Sequence, residues 1–206
     1  MAVMQHTVGH FDALFTSNAD PWQFKSRWYE QRKRALTLAC LPQLRYASGY
    51  EPGCANGELS AALATRCDQL VVSDGSALAV EMATARLADL PNVTVTQAWV
   101  PLQWPLESFD LIVISEFGFY LDAQSLHGVA DRITASIRPG GTVAACHWRR
   151  PIEACEFNGD QVHQILLNQL LKKQTWTLLC HVQEPDMVLD VWSLESLSVA
   201  QREGFA

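Results

Sequence analysis

The stretch Glu51-Pro52-Gly53-Cys54-Ala55-Asn56-Gly57 stands between an apolar run and a helical pattern. Glycines at such a junction let a ligand approach the backbone, and the amides that open the following helix point at it. The dinucleotide fingerprint G-x-G-x-x-G fits badly, because Ala55 replaces the second glycine and Glu58 stands at the third. An acidic Glu58 at a helix start would also repel a pyrophosphate, and the P-loop pattern is absent. The loop is thus either an ordinary strand-to-helix turn or a seat for a ligand without phosphates. Asp74 closes the next apolar run. A carboxylate there can accept hydrogen bonds from both hydroxyls of a ribose. Its other use is to cap a helix, which Ser76 could also do.

The elements that must position these groups alternate between short apolar strands and helical patterns, the signature of an α/β layered fold. Strands are expected at 46–51, 69–74, 93–97, 109–115 and 142–147. The run Phe109-Asp-Leu-Ile-Val-Ile-Ser115 is the clearest buried strand. Helices are expected near 59–66, 76–90, from Asp122 to Pro139, and from Asp160 to Lys173. Leu126, Val129, Ile133 and Ile137 fall at helical spacing. Two strands at 176–182 and 187–192 follow one another closely and must form an antiparallel hairpin. Asp20-Pro21-Trp22-Gln23 has the cap, first-turn proline and capping-box spacing of a helix start. That helix is expected to run to Leu41, before Pro42. Residues 1–19 are poorly patterned and are read as an N-terminal segment, a lid or disordered, ahead of one domain over 20–206.

The chain has 206 residues and 22 acidic against 15 basic side chains, a formal charge of −7. Hydrophobic residues make up 49% and charged ones 18%, which argues against a disordered chain. The acidic balance argues against a nucleic-acid partner, which would need concentrated Lys and Arg. The one basic cluster, Arg32-Lys33-Arg34, reads as a solvated helix face. No apolar run approaches the length of a transmembrane helix, and the N-terminus lacks a secretory pattern. Cys40, Cys54, Cys67, Cys146, Cys155 and Cys180 are scattered, with no metal-ligand spacing and no disulfide framework. A cytoplasmic protein with reduced thiols and no metal is expected.

The motifs together resemble the class I S-adenosylmethionine (AdoMet)-dependent methyltransferases. Glu51–Gly57 resembles their acidic glycine-rich first motif, and Asp74 matches their ribose carboxylate. Phe109–Val113 matches the fourth-strand motif, and Arg138-Pro139-Gly140-Gly141 the turn before the fifth strand. A narrower similarity is to the nodulation protein S (NodS-like) methyltransferases. It rests on Asp20-Pro21-Trp22, on Trp28-Tyr29-Glu30 with Arg32-Lys33-Arg34, and on Pro52–Gly57. Ser115-Glu116 with Tyr120-Leu121, and His147-Trp148-Arg149, complete it. The founding activity of that family is N-methylation of a deacetylated glucosamine on a chitooligosaccharide.

The resemblance implies a Rossmann-like fold: a seven-stranded, mostly parallel sheet with an antiparallel C-terminal hairpin and helices on both faces. It implies AdoMet as cofactor, with S-adenosylhomocysteine as product, and a small-molecule or amino-sugar acceptor recognised by the N-terminal segment and loops. Cofactor contacts are expected from Glu51, Gly53, Cys54, Asn56, Gly57, Asp74, Gly75 and Ser115. Cys54 is read as a small apolar filler. Tyr29 and Arg32 share a helix face, and Arg32 could pair with the cofactor's carboxylate. The third strand ends Gln97-Ala98-Trp99, where many relatives carry an adenine-binding Asp. Adenine recognition is therefore expected from the backbone around Ala98–Val100 and from Trp99.

Three residues are read as candidates for the chemistry. Glu116 could hold an ammonium group and accept its proton, or bond a neighbouring loop. Tyr120 could donate a hydrogen bond to the acceptor or pack as core. His147 could be a base, since its ordinary pKa is near neutrality, or a buried structural histidine. Trp22 and Trp28 could form an aromatic lid or pack as core. Trp148 could stack on a sugar, and His163 with Asp160 could serve the acceptor site or cap a helix. Competing readings are a small-molecule O-methyltransferase, a non-catalytic AdoMet-binding module and, least favoured, a nicotinamide-dependent oxidoreductase.

Overall fold

A computed structural model describes residues 2–153 and 155–205. Its centre is one seven-stranded sheet of order β3-β2-β1-β4-β5-β7-β6. The strands are β1 (Tyr46–Pro52), β2 (Cys67–Asp74), β3 (Val93–Gln97), β4 (Phe109–Ser115), β5 (Ile137–Trp148), β6 (Thr177–Gln183) and β7 (Met187–Ser193). The first five pair in parallel, and β7 runs antiparallel to both β5 and β6. The class I methyltransferase architecture expected from the motifs is the one found.

The helices are α1 (Ala2–Ser17), α2 (Trp28–Cys40), α3 (Glu58–Leu63), α4 (Ala77–Arg86), α5 (Ala123–Ser136), α6 (Gly159–Leu171) and α7 (Val199–Arg202). In β4, Ile112 and Ile114 join Leu126, Ile133, Val162 and Leu166 in the core on one face. Leu111 and Val113 join Leu63, Ala83 and Leu189 on the other. Burial on both faces explains why β4 reads as an unbroken apolar run.

Two expectations are corrected. The helix foreseen from Asp20 begins only at Trp28. The Asp20 carboxylate instead accepts the amides of Phe24 at 2.8 Å and Lys25 at 3.1 Å, closing a turn in which Gln23 has φ +58°. A left-handed residue cannot continue a right-handed helix, so the chain turns before it coils. Residues 2–17, left unpatterned in sequence, form α1. Phe15 of α1 is buried, and Asp12 Oδ1 accepts from Ser76 Oγ at 2.5 Å, tying α1 to the start of α4.

A candidate cofactor and acceptor cavity

At the carboxyl edge of the parallel strands a cavity of about 440 Å³ opens, within the range of small-molecule sites. On one side it is floored by the β1–α3 loop. This loop holds three left-handed residues, Gly53 (φ 73°), Ala55 (φ 48°) and Gly57 (φ 80°). The alternation turns amides inward: Gly53 N–H and Cys54 N–H both donate to Ser73 O, at 2.7 and 3.0 Å. Ala55, the departure noted in the sequence, adopts the left-handed conformation that a glycine would take without strain.

Asp74 ends β2 beside this loop. Its Oδ2 accepts the Ala55 amide at 3.0 Å and its Oδ1 the Ser76 amide at 2.9 Å. Burial raises its pKa, and the backbone amides of Ser76, Ala55 and Gly75 pull it back toward the charged form. Glu51 is fully buried, and its carboxyl is pushed up to about 8 by burial; Ser60 Oγ, donating at 2.5 Å, lowers it, and the neighbouring Asp74 charge raises it. Burial also raises the Cys54 thiol well above its ordinary value, with the Asp74 and Glu51 charges adding. A thiol held protonated is a poor nucleophile. Trp99 lies over Gly75 so closely that a Cβ there would meet its ring at 2.5 Å. Asn56 donates to Asp20 Oδ1 at 3.1 Å, while its own Oδ1 is buried without a partner.

The other side of the cavity is built by α2 and the end of β4. Glu116 has φ +58°, a sparsely populated conformation for a residue with a side chain. Its Oε1 receives Lys33 Nζ at 2.6 Å and its Oε2 the Trp148 amide at 3.0 Å. Lys33 Nζ also meets Glu30 Oε2 at 2.8 Å. Burial works against the Lys33 charge, but Glu116 and Glu30 outweigh it and hold the ammonium protonated above its ordinary range. Two carboxylates around one ammonium give the Glu30–Lys33–Glu116 cluster itself one net negative charge, while Arg27 and Arg34 line the same cavity. Phe11, Phe15, Trp22, Phe24, Phe119, Tyr120 and Trp148 add aromatic lining. Burial raises the Tyr120 hydroxyl pKa, so it stays protonated as a donor.

The cavity thus brings together Tyr29, Glu51, Gly53, Cys54, Asn56, Asp74, Gly75, Trp99, Val100, Ser115, Glu116 and Tyr120. It does not include Gly57, which ends the loop as the N-cap of α3. Nor does it include Arg32, which turns away and grips Glu184 through both terminal nitrogens at 2.8 and 2.6 Å. Trp28 is exposed rather than part of a lid. His147 is fully buried behind the cavity wall and does not face it. Asp160 bonds Arg149 at 2.8 Å rather than His163.

Sequence reasoning missed Glu30, Lys33 and Arg34. The cluster Arg32-Lys33-Arg34 is not a solvated face: Lys33 is buried, and Arg34 lines the cavity with Nη1 donating to Phe24 O at 2.6 Å. The available signal was the helical stripe Tyr29-Lys33-Thr37 with Glu30 three residues before Lys33, an ion-pair spacing on one face.

The pattern that defines the family "Nodulation protein S (NodS)" matches residues 14–160. The chain belongs to the NodS family. It is 29% identical over 126 residues to the nodulation protein S of Bradyrhizobium diazoefficiens, 60% of each chain. It is 29% identical over 124 residues to that of Rhizobium tropici, 59% of this chain and 52% of the relative. The chain thus spans little more than half the length of these curated relatives. A crystal structure from Pseudomonas syringae, described as a methyltransferase, is 52% identical, with a TM-score of 0.72. It covers 81% of this chain and 99% of its own. The fold is also that of the N-methyltransferase NodS from Bradyrhizobium japonicum WM9 in complex with S-adenosylhomocysteine. That match has a TM-score of 0.75 at 21% identity, covering 89% of this chain and 96% of the other. Among the described residues, no helix is long and apolar enough to cross a membrane.

Proposed function

We propose that this chain is an AdoMet-dependent methyltransferase that N-methylates an amino group of a small molecule or amino sugar. The observation that carries the reading is a single cavity with two unlike walls. One is a phosphate-free seat of glycine loop, Asp74 and Trp99. The other is the acidic Glu30–Lys33–Glu116 cluster among aromatic rings.

The residues present fit the cofactor. The orphaned Asn56 Oδ1 is an acceptor without a donor, which the ammonium of the methionine moiety could supply. Asp74 keeps lone pairs free for ribose hydroxyls beyond its two amide bonds. Trp99 offers a ring face for adenine. Arg34 and Arg27, which line the cavity, replace Arg32 as partners for the carboxylate. When bound, AdoMet supplies a methyl group activated by the sulfonium charge. The chain's own work is then alignment and charge placement, which can carry a large part of the barrier. The net negative Glu30–Lys33–Glu116 cluster attracts a cationic amine, and Glu116 orients it. Tyr120, held protonated, donates a hydrogen bond at the same end. An amine attacks only when neutral, and a carboxylate beside it or bulk water can take its proton. The six free thiols suit a reducing, cytoplasmic compartment.

The test pairs calorimetry with an acceptor panel. AdoMet should bind and NAD(P)H should not, and methyl transfer should occur to amines in preference to hydroxyl acceptors. Transfer to hydroxyls alone, or binding without any transfer, would replace this reading with an O-methyltransferase or a non-catalytic module. Asp74→Ala should weaken AdoMet binding by roughly 1–3 kcal/mol, the cost of losing hydrogen bonds to a charged group. Unchanged affinity would remove Asp74 from the site.

A further inference from the structure

Behind the cavity wall runs a chain of hydrogen bonds that the chemistry above does not use. The Gly118 amide donates to His147 Nε2 at 3.3 Å. His147 Nδ1 meets His163 Nε2 at 3.0 Å, and His163 Nδ1 meets Asp190 Oδ2 at 2.6 Å. Asp190 Oδ1 meets His181 Nδ1 at 2.6 Å, and His181 is half exposed. His147 and His163 are both buried.

The direction of every bond follows from its first donor. A backbone amide can only donate, so His147 Nε2 is bare and its proton sits on Nδ1. That proton is given to His163 Nε2, which places the His163 proton on Nδ1, toward the Asp190 carboxylate. One arrangement, with both rings neutral, satisfies all three bonds. A second proton on His163 would set two N–H groups against each other, and one on His147 would face the Gly118 amide.

The turn held by this chain is the short 3₁₀ segment Gly118–Tyr120, which supplies Phe119 and Tyr120 to the cavity. It sits directly on the relay: a Cβ on Gly118 would come within 2.5 Å of Val162 Cγ1 and 3.0 Å of His147 Nε2. The Phe119 ring meets the His147 ring edge-on at 5.5 Å, and Tyr120 at 4.7 Å. The groups facing His147 are His163 of α6, backed by Asp190 of β7 and His181 of β6. Lys33 of α2, paired with Glu116 and Glu30, adds its positive charge to the same surroundings.

We infer that His147 is a positioning residue. Through a tautomer fixed by His163 and Asp190, its Nε2 holds the Gly118–Tyr120 turn so that Tyr120 faces the acceptor. This assignment rests on the methyltransferase reading for its kinetic consequence, but not for its geometry. The geometric test is imidazole ¹⁵N spectroscopy of the wild-type protein near neutral pH. His147 and His163 should both show the Nδ1–H tautomer, the minor form in water. An Nε2–H tautomer or an imidazolium at either position would overturn the inference.

The kinetic test compares His147→Leu with His147→Gln, whose amide can both accept from Gly118 and donate to His163. The leucine variant should lose about 10- to 100-fold in kcat, the scale of a misplaced site, while AdoMet affinity by calorimetry stays as in wild type. The glutamine variant should recover most of kcat. Wild-type kcat in the leucine variant, or a loss of kcat matched by an equal loss of AdoMet affinity, would overturn the positioning role. If the wild-type protein transfers no methyl group at all, the proposed function fails. The tautomer measurement still decides the network.

Discussion

The two walls of the cavity are held by different means. The β1–β2 wall is held by backbone. The Gly53 and Cys54 amides bond the Ser73 carbonyl, and the Asp74 carboxylate accepts the amides of Ala55 and Ser76. The β4–β5 wall is held by side chains that meet across the fold. Lys33 reaches Glu116 over 83 positions, and the Trp148 amide reaches Glu116 over 32. A wall made of backbone tolerates changes that leave its dihedral angles alone. A wall made of buried charges depends on every partner at once.

The largest expected effect comes from breaking the second wall. Lys33→Met would leave the buried Glu30 and the part-buried Glu116 without their cation. Removing one partner of a buried pair costs about 3–5 kcal/mol, and denaturant unfolding should show a loss of that order. A loss below about 1 kcal/mol would mean that the cluster is solvated after all.

The first wall is sharpened by pH. Glu51 has its folded pKa at about 8 against an ordinary 4.5. Between those values the folded chain holds a proton that the unfolded chain has lost. The stability contribution is therefore complete in acid and declines as pH rises, by up to about 1.4 kcal/mol per unit. Glu51→Gln should remove this decline. Parallel stability profiles for wild type and variant between about pH 5 and 8 would show that Glu51 ionises normally.

The smallest effect concerns Ala55. A left-handed alanine carries strain that glycine avoids, partly offset by the greater freedom of glycine when unfolded. Ala55→Gly should stabilise the protein by no more than about 1 kcal/mol, read as a small rise in Tm. A fall would show that the loop at Ala55 is unstrained.

The same division explains what the sequence made legible. The sheet, the hairpin, the glycine loop and Asp74 could all be read, because each depends on local pattern or on a turn between adjacent elements. Arg32 and Lys33 exchanged roles in that reading. Adjacent residues on a helix point about 100° apart, and which one faces inward is set by how α2, from its start at Trp28, packs against Glu116. That start was hidden by Asp20, whose helix-capping signature closes a turn instead. His147 lies next to the cavity in sequence terms, yet Gly118 and His163 enclose it. Neither neighbour is predictable from strand periodicity.

The buried Glu51 carboxyl has one more consequence. A ligand that brings a positive charge to this wall would favour the ionised form and drive the proton out, so association and proton release become one event. Measured in two buffers of different ionisation enthalpy, the heat of binding would then differ by the protons passed to the buffer. A titration could thus count a charge arriving in the cavity without any view of the ligand itself.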